Sequence, residues 1–220
     1  MNREWARKSV HVAMGGFAFL MPYLTWWQAC LLAAMALLHN LFVLPLYGGR
    51  KIFRGAAAER GLDVGIVLYP ASVLALTVLF ARHPPVIAAA WGLLAFGDGM
   101  ATIIGLWLGR HTSRLPWNRD KSWAGWIGFF VFGGIAVLGL WRWTAGVPLD
   151  GELVAKLLIV TAVVALLESL PLGVDDNIVV PLAGAGLLLA ATTLDVDALL
   201  AGKPLFLARL PWALAVNVLL

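Results

Sequence analysis

The chain has 220 residues, of which 61% are apolar and 13% charged, about half the 25% or so of an ordinary soluble domain. Its 16 basic and 12 acidic side chains cannot coat a compact particle of this size, so a conventional water-soluble domain is excluded. The net charge of +4 could suggest nucleic acid, but in a lipid-embedded chain basic residues first report topology, and no nucleic-acid partner is expected.

The apolar stretches are continuous and rich in Leu and Ala, which predicts helices rather than the alternating strands of a membrane barrel. At about 20 residues per span, the expected fold is all-α, a polytopic membrane bundle of seven or eight transmembrane helices, with residues 1–220 forming a single integral-membrane domain. Arg3, Arg7 and Lys8 ahead of the apolar run Val10 to Met21 resemble a secretory signal. No small-residue cleavage site follows, and Pro22, Tyr23, Trp26 and Trp27 read as an interfacial end, so a retained first span is predicted over 9–25. Further spans are predicted at 27–46, 64–81, 86–108, 123–141, 153–169 and 178–194; an eighth at 205–220 is weakened by Arg209 and Pro211. Cys30 is the sole cysteine, which leaves no disulfide and no Cys-based metal site to consider.

Placing the N-terminus in the cytoplasm puts Arg3, Arg7, Lys8, Arg50, Lys51, Arg54, Arg60, Arg110, Arg114, Arg119 and Lys121 on that side, as the positive-inside rule asks. The acidic turn after the sixth span then falls on the same side. No internal repeat or inverted symmetry of broken spans is visible, which weighs against a two-halved transporter.

Four segments carry chemistry. Asp98, in Gly97-Asp98-Gly99-Met100-Ala101-Thr102-Ile103-Ile104-Gly105, lies inside a span, where an ionised acid is expensive unless paired or metal-bound. It is either functional or a polar contact between helices. Gly97, Ala101, Gly105 and Gly109 fall four apart on one helix face, suited to close helix packing or, near the basic loop, to close approach of a phosphate. The loop from Gly109 to Gly125 brings Arg114, Lys121 and Ser122 to the start of the fifth span, where free backbone donors suit an anion; simple topological charge with Ser122 as an N-cap is the competing account. Glu168, Asp175, Asp176 and Asn177 offer oxygen ligands suited to Mg²⁺, or else form a solvated turn. Arg7, Lys8 and His11 stand on the entering helix, as headgroup or nucleotide ligands or as juxtamembrane charge.

Taken in order, R-K-x-x-H (Arg7, Lys8, His11), G-D-x-x-A-x-x-x-G (Gly97, Asp98, Ala101, Gly105), K-S-x-x-G (Lys121, Ser122, Gly125) and E-S-L-P with D-D-N-x-x-x-P (Glu168, Asp175, Asp176, Asn177, Pro181) resemble the CTP-dependent lipid kinases: dolichol kinase, phytol and farnesol kinases, and the CTP-dependent diacylglycerol kinase. The Tyr69-Pro70 pair adds to the likeness, which covers nearly the whole chain. The resemblance implies transfer of the γ-phosphate of CTP, with Mg²⁺, to the hydroxyl of a membrane lipid alcohol: a polyprenol, a phytol-like isoprenoid or diacylglycerol. Asp98 and Lys121 would be catalytic. Asp98, Glu168, Asp175 and Asp176 would hold metal, and Arg7, Lys8, His11, Gly97, Gly105, Gly109, Arg114, Ser122, Gly125 and Asn177 would line the nucleotide site. The compact chain suggests a catalytic core in a prokaryotic cytoplasmic membrane, with N-terminus and active site cytoplasmic. Two alternatives stand beside it: the distantly similar phosphatidate cytidylyltransferases, which make CDP-lipids, and a small ion-coupled transporter using Asp98 and Glu168.

Overall fold

A computed structural model describes residues 3–47, 64–109, 111–194 and 208–209. Helix α1 (Arg3–Met14) runs on as a 3-10 helix (Gly15–Tyr23). Helix α2 (Trp26–Leu38) continues through a π-helical turn (His39–Val43) into α3 (Leu44–Tyr47). Then follow α4 (Val64–Leu79), α5 (Pro84–Gly92), a π-helical segment (Leu93–Asp98), α6 (Gly99–Leu108), α7 (Trp123–Ala145), α8 (Gly151–Ser169) and α9 (Asp176–Thr193). Among the described residues four stretches are long and apolar enough to cross a membrane: Trp26–Leu46, Pro84–Leu108, Trp123–Ala145 and Asp176–Thr193.

The fold is the all-α membrane bundle read from the sequence. Seven expected spans fall on helices with ends displaced by a few residues. Nearly all of the eighth lies outside the described residues, as do Arg50, Lys51, Arg54, Arg60 and Arg110. Local chemistry sets the boundaries. Thr25 and Gln28 close a capping box at the start of α2, and the Asp150 carboxylate accepts from Leu153 N–H at 2.8 Å to start α8. Gly146, in the left-handed region at φ 70°, ends α7.

The α5–α6 span is the axis of the bundle. Ala88, Ala89, Ala90, Leu93, Leu94 and Ala95 are wholly buried, whereas side chains such as Phe42, Trp107 and Ile135 face outward, as lipid contact allows. Lipid tails are as apolar as the helices, so association rests on close packing of small residues more than on hydrophobic drive. A Cβ added at Gly125 would stand 2.9 Å from the Ala101 carbonyl oxygen, and one at Gly133 would stand 3.4 Å from Gly97 Cα. Helix α7 therefore lies backbone to backbone along α6 and the π segment. Helix α1 packs the Val12 side chain directly onto α6, where a methyl group at Gly99 would collide with it. The π segment ends on Asp98. Its wider turn rotates everything C-terminal to it relative to a regular helix, a feature common at functional sites.

Gly99→Val is expected to push α1 from α6 and to destabilise the detergent-solubilised protein by about 1–3 kcal/mol, the usual penalty for overpacking. Gly186→Val, where a new Cβ meets open space, is the control. Equal thermal midpoints for the two variants would contradict the close contact.

Candidate active site

At one end of the bundle a cavity of about 730 Å³ collects the polar residues of segments far apart in sequence. Helix α1 supplies Arg7 and Lys8, the central span supplies Asp98, Thr102 and Gly105, and the loop before α7 supplies Arg114, Asp120, Lys121 and Ser122. Gly125 and Trp126 of α7, Glu168 of α8, and Asp175, Asp176 and Asn177 complete the wall.

Two ion-paired clusters adjoin in its wall. Lys8 Nζ donates to Asp98 Oδ2 at 2.5 Å with both side chains buried. His11 Nε2 lies 3.3 Å from the same carboxylate oxygen and 2.8 Å from the Leu94 carbonyl oxygen. A carbonyl can only accept, so Nε2 carries the ring proton. Tyr69 holds this corner: its ring meets His11 edge to face at 4.4 Å, and its hydroxyl donates to the His11 carbonyl and accepts from Trp91 Nε1.

In the second cluster Lys121 Nζ donates to Glu168 Oε1 at 2.7 Å, to Asp176 Oδ2 at 3.0 Å and to the Glu168 carbonyl oxygen. Burial disfavours the Lys121 charge, but Glu168 and Asp176 outweigh it and hold the ammonium above the ordinary lysine value. The loop reaches this place because it folds back on itself. Leu115 N–H donates to the Lys121 carbonyl, Trp123 N–H donates to the Ser113 carbonyl, and Leu115 is buried beneath. Trp117 Nε1 donates to Ser169 Oγ at 3.0 Å and Asn118 Nδ2 to the Ser169 carbonyl at 3.1 Å, latching the loop onto the end of α8. Ser122 caps α7, accepting from Gly125 N–H at 3.2 Å.

Asp98, Glu168 and Asp176 each offer a carboxylate oxygen, and the three oxygens lie within 4.8 Å of one another. Asn177 Oδ1, buried beside them, has no hydrogen-bond partner among the described residues, and neither does Trp126 Nε1. Three clustered carboxylates and an unsatisfied amide oxygen form the hard-oxygen donor set that Mg²⁺ takes. The residues present fit the ion.

The structure thus gathers Arg7, Lys8, Asp98, Gly105, Arg114, Lys121, Ser122, Gly125, Glu168, Asp175, Asp176 and Asn177 around one cavity. It places three expected residues elsewhere. His11 stands behind Asp98, Gly97 packs on the Phe129 ring, and Gly109 caps α6 through its N–H to the Gly105 carbonyl. Asp175 lines the cavity, but its Oδ1 accepts from the Asn177 backbone N–H at 2.9 Å and side-chain Nδ2 at 2.6 Å, so it caps α9 while Asp176 joins the carboxylate cluster. Sequence reasoning missed Asp120, Thr102 and Trp126, which fall in no motif, and the Trp117–Ser169 latch. Only the polar Ser169 at a helix end hinted at the latch.

Fold and cavity together define a helical membrane protein with a charged pocket at one end of its bundle. The chain is homologous to the phytol and farnesol kinases, the likeness already drawn from its motifs. It is 32% identical over 199 residues to "Probable phytol kinase 3, chloroplastic" of Glycine max, covering 82% of this chain and 61% of that protein. It is 30% identical over 199 residues to "Farnesol kinase, chloroplastic" of Arabidopsis thaliana, covering 84% and 64%, and 34% identical over 140 residues to "Phytol kinase 1, chloroplastic" of the same plant, covering 61% and 45%. The chain therefore spans about three fifths of the length of the first two relatives. No family model and no solved structure matches it. These relatives correct the expectation of a prokaryotic cytoplasmic membrane, since each is named as a chloroplastic enzyme of a plant.

Ser169→Ala removes the acceptor of the Trp117 indole and should loosen residues 111–122 by about 1 kcal/mol, the usual net worth of one hydrogen bond. Limited proteolysis is expected to cut that loop several-fold faster than in the wild-type chain. An unchanged cleavage rate would mean that the latch does not hold it.

Proposed function

We propose that the chain is a lipid-alcohol kinase that transfers the γ-phosphate of CTP to the hydroxyl of a membrane lipid alcohol, and that residues 1–220 act as one catalytic domain. The observation that carries this reading is the convergence of Asp98, Glu168 and Asp176 with Lys8 and Lys121 on one cavity. The kinase names of the relatives support it. Phosphoryl transfer asks for positioning and charge neutralisation more than for a reactive side chain, and this cavity is built of those two things.

Asp98, Glu168 and Asp176, with Asn177 Oδ1, would hold Mg²⁺, which when bound neutralises phosphate charge. Lys8 and Lys121 are ion-paired with the same carboxylates. Lys8 and Lys121 would then turn from those carboxylates toward phosphate oxygens, joined by Arg7 and Arg114. Gly105 and Gly125 add no side chain to the wall beneath them, and Ser122 stands between. The lipid hydroxyl oxygen forms a bond to the γ-phosphorus as the bond to the bridging β–γ oxygen breaks, and CDP leaves. The hydroxyl proton passes to the Asp98 carboxylate, which His11 holds in place.

Purified full-length protein given γ-labelled CTP, magnesium and phytol, undecaprenol or diacylglycerol is expected to yield labelled lipid phosphate, and EDTA to stop it. Lipid labelled only from the α-phosphate would instead identify cytidylyl transfer. Asp98→Asn should lower turnover by about a thousandfold or more, since it removes both the proton acceptor and an ion ligand. It also strands the Lys8 charge, a change that commonly costs about 3–5 kcal/mol. The Lys8→Met, Asp98→Asn double variant should therefore recover thermal stability without recovering activity. Near-normal turnover in Asp98→Asn would remove this residue from the chemistry.

A further inference from the structure

We infer that a second, apolar cavity beside the active site seats one hydrocarbon chain of the acceptor alcohol, with its hydroxyl at the Arg7–His11 end and its tail running between α2 and α4 toward Thr77. The chemistry at the hydroxyl end rests on the kinase reading above; the seat for the chain rests on the observations that follow.

The cavity measures about 500 Å³ and lies between α1 with its 3-10 extension, α2 and α4. It adjoins the charged one, because Arg7 and Gly65 line both. His11 joins them chemically: its ring forms part of the apolar wall while its Nε2 lies 3.3 Å from Asp98. A molecule with one polar end and a long apolar body matches a charged pocket beside a greasy one.

The dimensions restrict the body. Along α4 the wall runs from Gly65 to Thr77, about 18 Å at 1.5 Å per residue. The facing wall is α2, anchored at the head end by Asn40 Nδ2, which donates to the Ile66 carbonyl at 2.9 Å. From there Ala36, Ala33 and Ala29 step away down the groove, and their small side chains leave its width open. An apolar cavity of about 150 Å³ takes one benzene, so on that scale a cavity of about 500 Å³ takes roughly twenty carbons. That suits a single isoprenoid chain and is too little for the two acyl chains of a diacylglycerol. The wall is also dry, since the Thr77 hydroxyl is bonded to the Leu74 carbonyl and the Tyr69 hydroxyl is bonded twice. Phe17, Leu20 and Leu32 at the rim are 40–50% exposed, so the groove opens sideways, where a tail dissolved in the bilayer can enter without crossing water.

Ala33→Phe tests this. The position lies seven residues beyond Asn40, about 10 Å into the groove, and is not in the charged cavity. The variant should lower kcat/KM for geranylgeraniol about tenfold or more while leaving the short prenol geraniol within about twofold. In parallel, wild-type full-length protein in micelles is irradiated with geranylgeraniol carrying a diazirine at its tail. Label is expected on 26–38 and 64–79 and should be displaced by unlabelled geranylgeraniol. Label confined to α8 or α9, equal loss of both alcohols in Ala33→Phe, or diacylglycerol serving as well as geranylgeraniol would overturn the inference. Photolabelling needs neither catalysis nor a folded variant, so the two readings separate. Label in the groove without any phosphate transfer sinks the kinase reading alone, and transfer with label elsewhere sinks the groove alone.

Discussion

A carboxylate at the centre of the most buried span cannot stay charged in that place by itself, and the contact that answers this, Asp98 with Lys8, organises the rest of the molecule. Removing an ion from water costs several kcal/mol, and the attraction of its partner repays this only at good geometry. The partner comes from ninety residues away, so satisfying Asp98 also fixes helix α1 against the central span. The glycine at 99 lets α1 come close enough, and the π segment turns Asp98 toward it. His11, one helical turn beyond Lys8, then falls beside the same oxygen. Packing and electrostatics thus specify one register of α1 rather than two competing ones.

The second ion cluster is built by different means. Lys121 lies on a loop, where an extended side chain would ordinarily wander, yet Trp117 and Asn118 tie that loop to Ser169, the residue that follows Glu168. The latch therefore carries Lys121 to its carboxylate partners before any ligand arrives. Both lysines then stand where a divalent cation's charge is wanted, and the balance of three clustered carboxylates against two ammonium groups leaves the site short of positive charge. On the proposed kinase reading such a site would favour a cation together with its anionic ligand, because lysines released from the carboxylates would gain new partners in the phosphates.

The helical type and the places of seven expected segments were legible because length and continuous apolarity suffice for them. Asp98 stood out because charge at membrane depth is conspicuous, and Lys121, Glu168 and Asp176 because they gather at span ends on one side; the structure brings all four to one cavity. What stayed hidden depends on geometry that no residue pattern encodes. Asp175 and Asp176 are adjacent and alike in composition, and only the start of α9 decides that one caps the helix while the other faces the cluster. Gly97 and Gly105 share a helix face, yet one meets the Phe129 ring and the other the pocket wall. The π segment left no mark, since a wider turn can be built from ordinary apolar residues such as Leu93 and Leu94. The apolar cavity was equally invisible, because Ala29, Ala33 and Ala36 read only as helix-packing residues until the space beside them is seen.

Arg7 and Gly65 line both cavities, and on the proposed reading that border answers a problem of solvent. A triphosphate cannot enter hydrocarbon and a long prenyl tail cannot enter water, so a protein joining them must hold each in its own medium while their reactive ends touch. A charged pocket alone would bind phosphate without an acceptor, and a greasy groove alone would bind the tail without a donor. Helix α1 resolves this by belonging to both. Arg7 and Lys8 face the charged pocket, Val10, His11 and Met14 face the groove, and the change falls within one helical turn. The boundary between the media is thus set at the side chain nearest Asp98, and the contact that fixes α1 also fixes where the two ligands would meet.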